Sequence, residues 1–474
     1  MSVRASLAYF LSRGLSGGLA VATVSLFARQ LGPQGYASLT LAIPISAFVG
    51  SVLIMPLHNS LGRFLPGRVE SGLTPTLGRL LLLGSALGLI LAWFIESLGL
   101  TWLGHGVVFA AVILCLAQGF FDFSAQWASS NLMARRYGRL YLLKALLAPA
   151  VGLSLVALGF GFWGAVMGMS FAYLASVLIA LPQPWLEVWR GRFAPSDLRE
   201  VFGYMRGIAL VMLLGAILSW SDRLLMARFS VSGLGAYGAA ADLTQQGFGL
   251  IFSALFLAWF PRLVAAWEKE REAYPAKMRR YLQLSAAVMP PVAAGFALVC
   301  GDLVQVLLGA AYQQDAPRLM PWLALAALLG GVRMYVTDVA LHLRQRLDLQ
   351  CWIVGACGVL GLGLNFWLLP RVGVIGAAWS AVAANGLGVV LGLLLAKRMG
   401  GLVWPWRDLL ISCVGVALMA LALHFVPEGS LLRLSLRVTL GVAVYGAVAL
   451  VGDLAGGRSW LWAKLRARVR SGAC

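Results

Sequence analysis

The residues able to do chemistry in this sequence are a few ionisable side chains inside long apolar stretches. Arg13, Lys144, Arg206 and Arg333 are basic; Asp122 and Asp242 are acidic. A charge at bilayer depth costs a few kcal/mol or more, so each is a candidate for work of its own. The cations suit attraction of an anion, and the carboxylates suit uptake of a proton or a sodium ion. Arg13 lies about two turns into the first apolar stretch, among Ser12, Gly14, Ser16, Gly17 and Gly18, a thin and deformable setting. Arg206 and Lys144 lie nearer a stretch end, where snorkelling to the interface is an equal account. Arg333 lies near the middle of its stretch. An offset of about 209 residues between the chain halves sets it opposite Asp122 to Ser124, and a carboxylate pair and an anion anchor both fit. Asp122 accompanies Gln118, Ser124 and Gln126, and Asp242 accompanies Gln245 and Gln246, so each also fits as partner to a buried arginine. Asp222-Arg223 reads as a local ion pair or interfacial anchor near a helix end, while Asp338 and Glu96 have no assignment.

Hydrolytic, transferase and ATP-driven chemistry find no support. The four histidines, His58, His105, His342 and His424, are scattered near the ends of apolar stretches. No paired carboxylates occur in an extramembrane segment, no glycine-rich phosphate loop is present, and no loop is long enough for a nucleotide-binding domain. The six cysteines form no CxxC pair and have no neighbouring histidine, so they read as packing residues, and neither a metal nor an organic cofactor is expected.

These groups need a bilayer to position them. Of 474 residues 60% are hydrophobic and 12% charged, with a mean hydropathy of +0.85, too little polar surface for a water-exposed globule. Apolar windows long enough to span recur throughout and give an all-α polytopic membrane protein of about 14 helices. Six fall within 6–181, six within 203–396 and two within 407–453. The first stretch reads as a span rather than a cleaved leader, because Arg13 interrupts it and no small-residue cleavage site follows. The formal charge of +19 reflects topology rather than a nucleic-acid partner. Most Lys and Arg fall in the loops on the N-terminal side, and only Arg29, Arg228, Arg318, Arg371, Arg433 and Arg437 on the other. Both termini are therefore expected in the cytoplasm.

The chain also repeats itself at a distance of roughly 200 residues. Ala28-Arg29 leading to Gly35-Tyr36-Ala37 is echoed by Ala227-Arg228 leading to Gly235-Ala236-Tyr237-Gly238. Gly161-Phe162-Trp163-Gly164-Ala165 is echoed by Gly373-Val374-Ile375-Gly376-Ala377. Six spans separate the copies, so both halves enter the membrane in the same direction, as two parallel lobes. The expected organisation is an N-lobe over 1–182, a linker over 183–202, a C-lobe over 203–398, two further helices over 399–455 and a basic cytoplasmic tail over 456–474. Each GxxGA element should open a helix after a tight turn, with close helix approach.

The same residues resemble the multidrug/oligosaccharidyl-lipid/polysaccharide (MOP) exporter superfamily, and within it the O-antigen (Wzx-type) polysaccharide flippases. Leu31-Gly32-Pro33-Gln34-Gly35-Tyr36 looks like the family's LGPxxYG turn into the second helix, with Ala37 where glycine is usual. Further matches are Ser221-Asp222-Arg223, Gly235 to Ala240, Pro261, Gly309-Ala310-Ala311-Tyr312, and the run from Leu364-Asn365-Phe366 through Pro370 to Ala378. The resemblance implies two six-helix lobes around a V-shaped cleft, with Arg13 facing it. The implied activity is translocation of an undecaprenyl-diphosphate-linked oligosaccharide across a bacterial inner membrane. Glycan polymerase and ligase machinery would be partners; transport would be powered by a gradient, with Asp122 or Asp242 as the site of a coupling proton or sodium ion, or by substrate asymmetry. Its closest alternative is a lipid II flippase. A multidrug cation antiporter of the same superfamily would want an acidic, aromatic interior, and a membrane glycan polymerase would want a large outer loop, for which roughly 302–317 is too short.

Overall fold

The computed structural model describes residues 3–65, 72–99, 101–192, 198–344, 346–398, 404–427 and 429–458. Of these, the side chains of 3–16, 101, 198–200 and 347 lie outside the description. Every regular element among the described residues is helical. The chain runs α1 (Val3–Leu53), α2 (Met55–Phe64), α3 (Leu73–Ser97), α4 (Val107–Ser130), α5 (Ala134–Leu155), α6 (Gly161–Ala180), α7 (Gln183–Arg190), α8 (Leu198–Arg228) and α9 (Leu234–Lys269). It continues through α10 (Tyr274–Leu298), α11 (Cys300–Leu303), α12 (Ala316–Val332), α13 (Asp338–Leu343), α14 (Leu347–Val372), α15 (Val374–Arg398), α16 (Trp406–His424) and α17 (Leu431–Val451).

Among the described residues, twelve continuous helical stretches are long and apolar enough to cross a membrane. Two of them, Gly17–Leu53 with 37 residues and Ala134–Ala180 with 47, are nearly twice the length one crossing needs. The first is broken at Gly32, with φ 65° and ψ 176°; the second is broken at Gly159, with φ 93°. Each break divides its stretch into two spans, which agrees with the expected total of about 14.

The repeated GxxGA elements behave as their sequence predicts. Gly161 and Gly373 both adopt positive φ, 54° and 70°, a region that a side chain disfavours, and each immediately precedes or opens a helix. A Cβ on Gly164 would lie 2.7 Å from the backbone N of Val156, and one on Gly376 would lie 2.9 Å from Leu368 Cβ. Small residues let membrane helices approach where lipid supplies no hydrophobic drive for association.

The chain divides into two compact units. One comprises residues 1–243 and 354–380; its core gathers Leu57, Leu61, Leu77, Phe121, Phe123 and Leu140. Within it α5 and α6 pack backbone to backbone, since a Cβ on Gly168 would lie 2.2 Å from Gly152 Cα. The other comprises 244–353 and 381–474, with a core of Phe248, Phe252, Tyr281, Met289 and Val339. There α16 and α17 join α10 through Val299, Met419, Leu423 and Leu434. The basic tail lies outside the described residues from 459 onward, as do linker residues 193–197.

Candidate functional site

Arg13 lies on α1, but its side chain is outside the described set. Arg206 is exposed on α8. Lys144 on α5 is half-buried, and its ammonium sits 4.8 Å from the Tyr173 ring centroid and 5.5 Å from that of Phe121, two cation–π contacts. Its charge also acts on Asp122, which accepts a hydrogen bond from Gln118. Lys144 and Asp122 therefore share one aromatic-walled place in the first unit.

Asp242 and Arg223 form a buried pair within the same unit. Arg223 Nη2 donates to Asp242 Oδ1 at 2.6 Å, and Tyr36 Oη donates to Asp242 Oδ2 at 2.8 Å. Asp222 accepts the Tyr237 hydroxyl and the Arg223 backbone N–H at 2.8 Å. The Arg223 guanidinium also stacks over Trp220 at 4.7 Å. Glycine makes this meeting of α1, α8 and α9 feasible, because a Cβ on Gly235 would lie 1.8 Å from the Pro33 carbonyl oxygen. Arg223 is 2% exposed. It is thus a buried cation bonded across helices, where the sequence suggested a local pair with Asp222 or an interfacial anchor.

Arg333 lies in the second unit, at the start of a π-helical turn over Arg333–Thr337. Its partner is Asp338, with Nη1 to Oδ2 at 3.2 Å, and Gln350 Nε2 donates to the same oxygen at 3.2 Å. Of the two accounts the sequence left open, a carboxylate pair is therefore present, and Asp338 supplies it.

Two features of the second unit escape sequence reasoning. Arg437 on α17 pairs with Asp302 on α11 at 2.5 Å and donates to the Leu298 carbonyl at 3.0 Å, while Asp302 also accepts the Gly429 N–H at 2.8 Å. The only sequence signal was two charges flanking apolar runs. Beside this pair a cleft of about 770 Å³ runs along α10, α16 and α17. Its walls are apolar, among them Leu284, Val288, Phe296, Met419, Val438 and Val442, and Arg280, Arg437 and Tyr445 also line it. Gly295, Gly441 and Gly446 line it without filling it. From Arg280 to Val299 the groove follows α10 for roughly 28 Å at helical rise, close to the ~30 Å of a bilayer's hydrocarbon core. Such a groove can hold a long apolar chain. Among the described residues no cluster of His, Cys, Asp and Glu is disposed to hold a metal.

Residues 82–317 match the family model described as polysaccharide biosynthesis protein. Among solved structures, a lipid II flippase, MurJ, in an inward closed conformation is similar with a TM-score of 0.70 and 14% identity, over 95% of this chain and 99% of that one. An inward-facing multidrug resistance MATE transporter of the MOP superfamily has a TM-score of 0.61 and 16% identity, over 81% of this chain and 94% of that one. An outward-facing structure of such a transporter has a TM-score of 0.58 and 16% identity, over 83% and 95%. No protein of curated function matches the sequence. The chain thus has the fold of these transporters over most of its length, it is a multi-pass membrane protein, and its residues 82–317 match the polysaccharide-biosynthesis family model.

Proposed function

We propose that this protein is a flippase for an undecaprenyl-diphosphate-linked oligosaccharide, an O-antigen or exopolysaccharide repeat unit. It moves this substrate from the cytoplasmic to the outer leaflet of a bacterial inner membrane and has both termini in the cytoplasm. The observation that carries the reading is the apolar groove of the second unit, which is close to bilayer length and lies beside α10, α16 and α17. A soluble drug has no use for it, whereas a lipid-linked substrate must keep an isoprenoid chain in an apolar place while its sugars cross. The polysaccharide-biosynthesis match supports the sugar part. Arg13, Arg206, Lys144 and Arg333 support an anionic head group and disfavour organic cations, which an acidic site would attract. Alternating exposure of the head group to the two sides fits the duplicated chain, with glycan polymerase and ligase machinery receiving the product.

Complementation tests this reading. The gene is expressed in strains that lack their own repeat-unit flippase and make defined glycans, and in a strain depleted of its lipid II flippase. Restored surface glycan in at least one of the former, without rescue of the latter, is the expected result. Rescue of the lipid II strain alone assigns the substrate to the peptidoglycan precursor instead, and drug resistance without rescue of either would make the protein a multidrug exporter.

A further inference from the structure

Arg333 and Asp338 form an ion pair that is left incomplete. The contact is 3.2 Å, longer than the ~2.7–2.9 Å of a well-made charge-assisted bond. Asp338 Oδ2 is shared between Arg333 and Gln350, while Oδ1 is buried with no hydrogen-bond partner among the described residues. The other buried aspartates differ. Asp242 has one oxygen on Arg223 and the other on Tyr36, and Asp302 has one on Arg437 and the other on the Gly429 N–H. A pair kept for architecture satisfies its lone pairs, since a partly satisfied one in a low dielectric gains little.

The pair is also asymmetric in depth. The Arg333 side chain is 13% exposed and that of Asp338 is 1% exposed, so an arriving anion meets the cation first, with the carboxylate behind it. Local structure preserves this arrangement. Thr337 Oγ1 bonds the Arg333 carbonyl at 2.9 Å, Tyr281 donates its hydroxyl to the Tyr335 carbonyl, and a Cβ on Gly392 would lie 2.5 Å from Thr337 Oγ1. The π-turn is therefore pinned from α10 and α15, and π-turns within helices recur at functional sites. If Arg333 leaves, Asp338 keeps the Gln350 side chain as its donor.

We infer that Asp338 is a resident counter-anion for Arg333, which a phosphate oxygen of the lipid-linked diphosphate displaces when substrate binds. The carboxylate occupies Arg333 while the carrier is empty, so that no unpaired cation crosses the membrane interior during the return step, and it competes with the substrate for the same guanidinium. It is a positioning residue that sets affinity against release. This inference rests on the flippase reading for the identity of the anion.

The test is binding of undecaprenyl diphosphate, with undecaprenol as the phosphate-free control, to the purified full chain in detergent. Asp338→Asn keeps the shape and an acceptor oxygen and removes the competing charge. It should tighten undecaprenyl diphosphate binding by about tenfold, leave undecaprenol unchanged, and lower the rate of flipping in vesicles. Arg333→Gln should weaken diphosphate binding, and Arg333→Gln combined with Asp338→Asn should bind no better than Arg333→Gln alone. If Asp338→Asn does not accumulate, Asp338→Ser carries the same expectation. Wild-type binding with no tightening in the aspartate variant, or tightening that survives in the double variant, overturns the inference alone. Absence of undecaprenyl diphosphate binding in every form overturns the flippase reading, and the inference with it.

Discussion

Tyr36 of the first repeat donates its hydroxyl to Asp242 at 2.8 Å, and Tyr237, which stands in the corresponding segment of the second repeat, donates to Asp222. The two copies of one motif thus each use a buried tyrosine to cap an aspartate beside Arg223. Because both Asp242 oxygens are occupied, its carboxylate is held as structure. Asp242→Asn should cost about 3 kcal/mol, since Arg223 loses its partner across the helices, and Tyr36→Phe about 1–2 kcal/mol. Thermal unfolding of the purified variants in detergent measures both, while glycan export per folded molecule stays near wild type. Unchanged stability with lost export would instead make Asp242 the coupling-ion site that the sequence alone allowed.

Much of the fold was legible because it rests on local rules. Apolar length marks the spans, and glycines such as Gly32, Gly161 and Gly373 mark turns that other residues resist. The pairing of charges was far less legible. Arg333 and Asp338 are five residues apart, and on a regular α-helix that spacing does not share a face; only the i→i+5 geometry of the π-turn brings them together. Asp302 and Arg437 are 135 positions apart, and no periodicity links them. The lipid-sized groove was equally hidden, because it depends on what Gly295 and Gly446 leave empty rather than on any motif.

Arg13 stands among glycines and serines on α1, and the flippase reading pairs it with the diphosphate. Arg13→Ala should abolish glycan export while membrane insertion and protein level stay near wild type, because loss of an intramembrane charge relieves a cost of a few kcal/mol. Arg13→Lys should keep part of the activity, as a point charge still attracts phosphate but lacks the bidentate fork. Surface glycan at native expression reads the outcome, and normal glycan in the alanine variant removes Arg13 from the substrate's path.

The charge bias of the loops predicts that the segment from Arg190 to Glu200 faces the cytoplasm. A single cysteine introduced at Ser196, in a background with the native cysteines replaced, should resist a membrane-impermeant thiol reagent in intact spheroplasts and react once the membrane is opened. Labelling from outside would overturn the span count, since one crossing more or fewer reverses the side.

The groove supplies the last prediction. Gly446 on α17 lines it, and a Cβ built there meets no atom within 4 Å, so the side chain of Gly446→Phe starts in open space. Replacing a helical glycine also removes roughly 0.5–1 kcal/mol of backbone entropy cost, so expression and thermal stability should hold or rise. If the groove carries the isoprenoid chain, the ring occupies its path and export should fall several-fold. Gly355→Phe on α14 is the matched control, because its Cβ likewise meets nothing within 4 Å and it does not line the groove. Equal export by both variants would detach the groove from the substrate, whereas loss confined to Gly446→Phe ties the lipid to α10, α16 and α17.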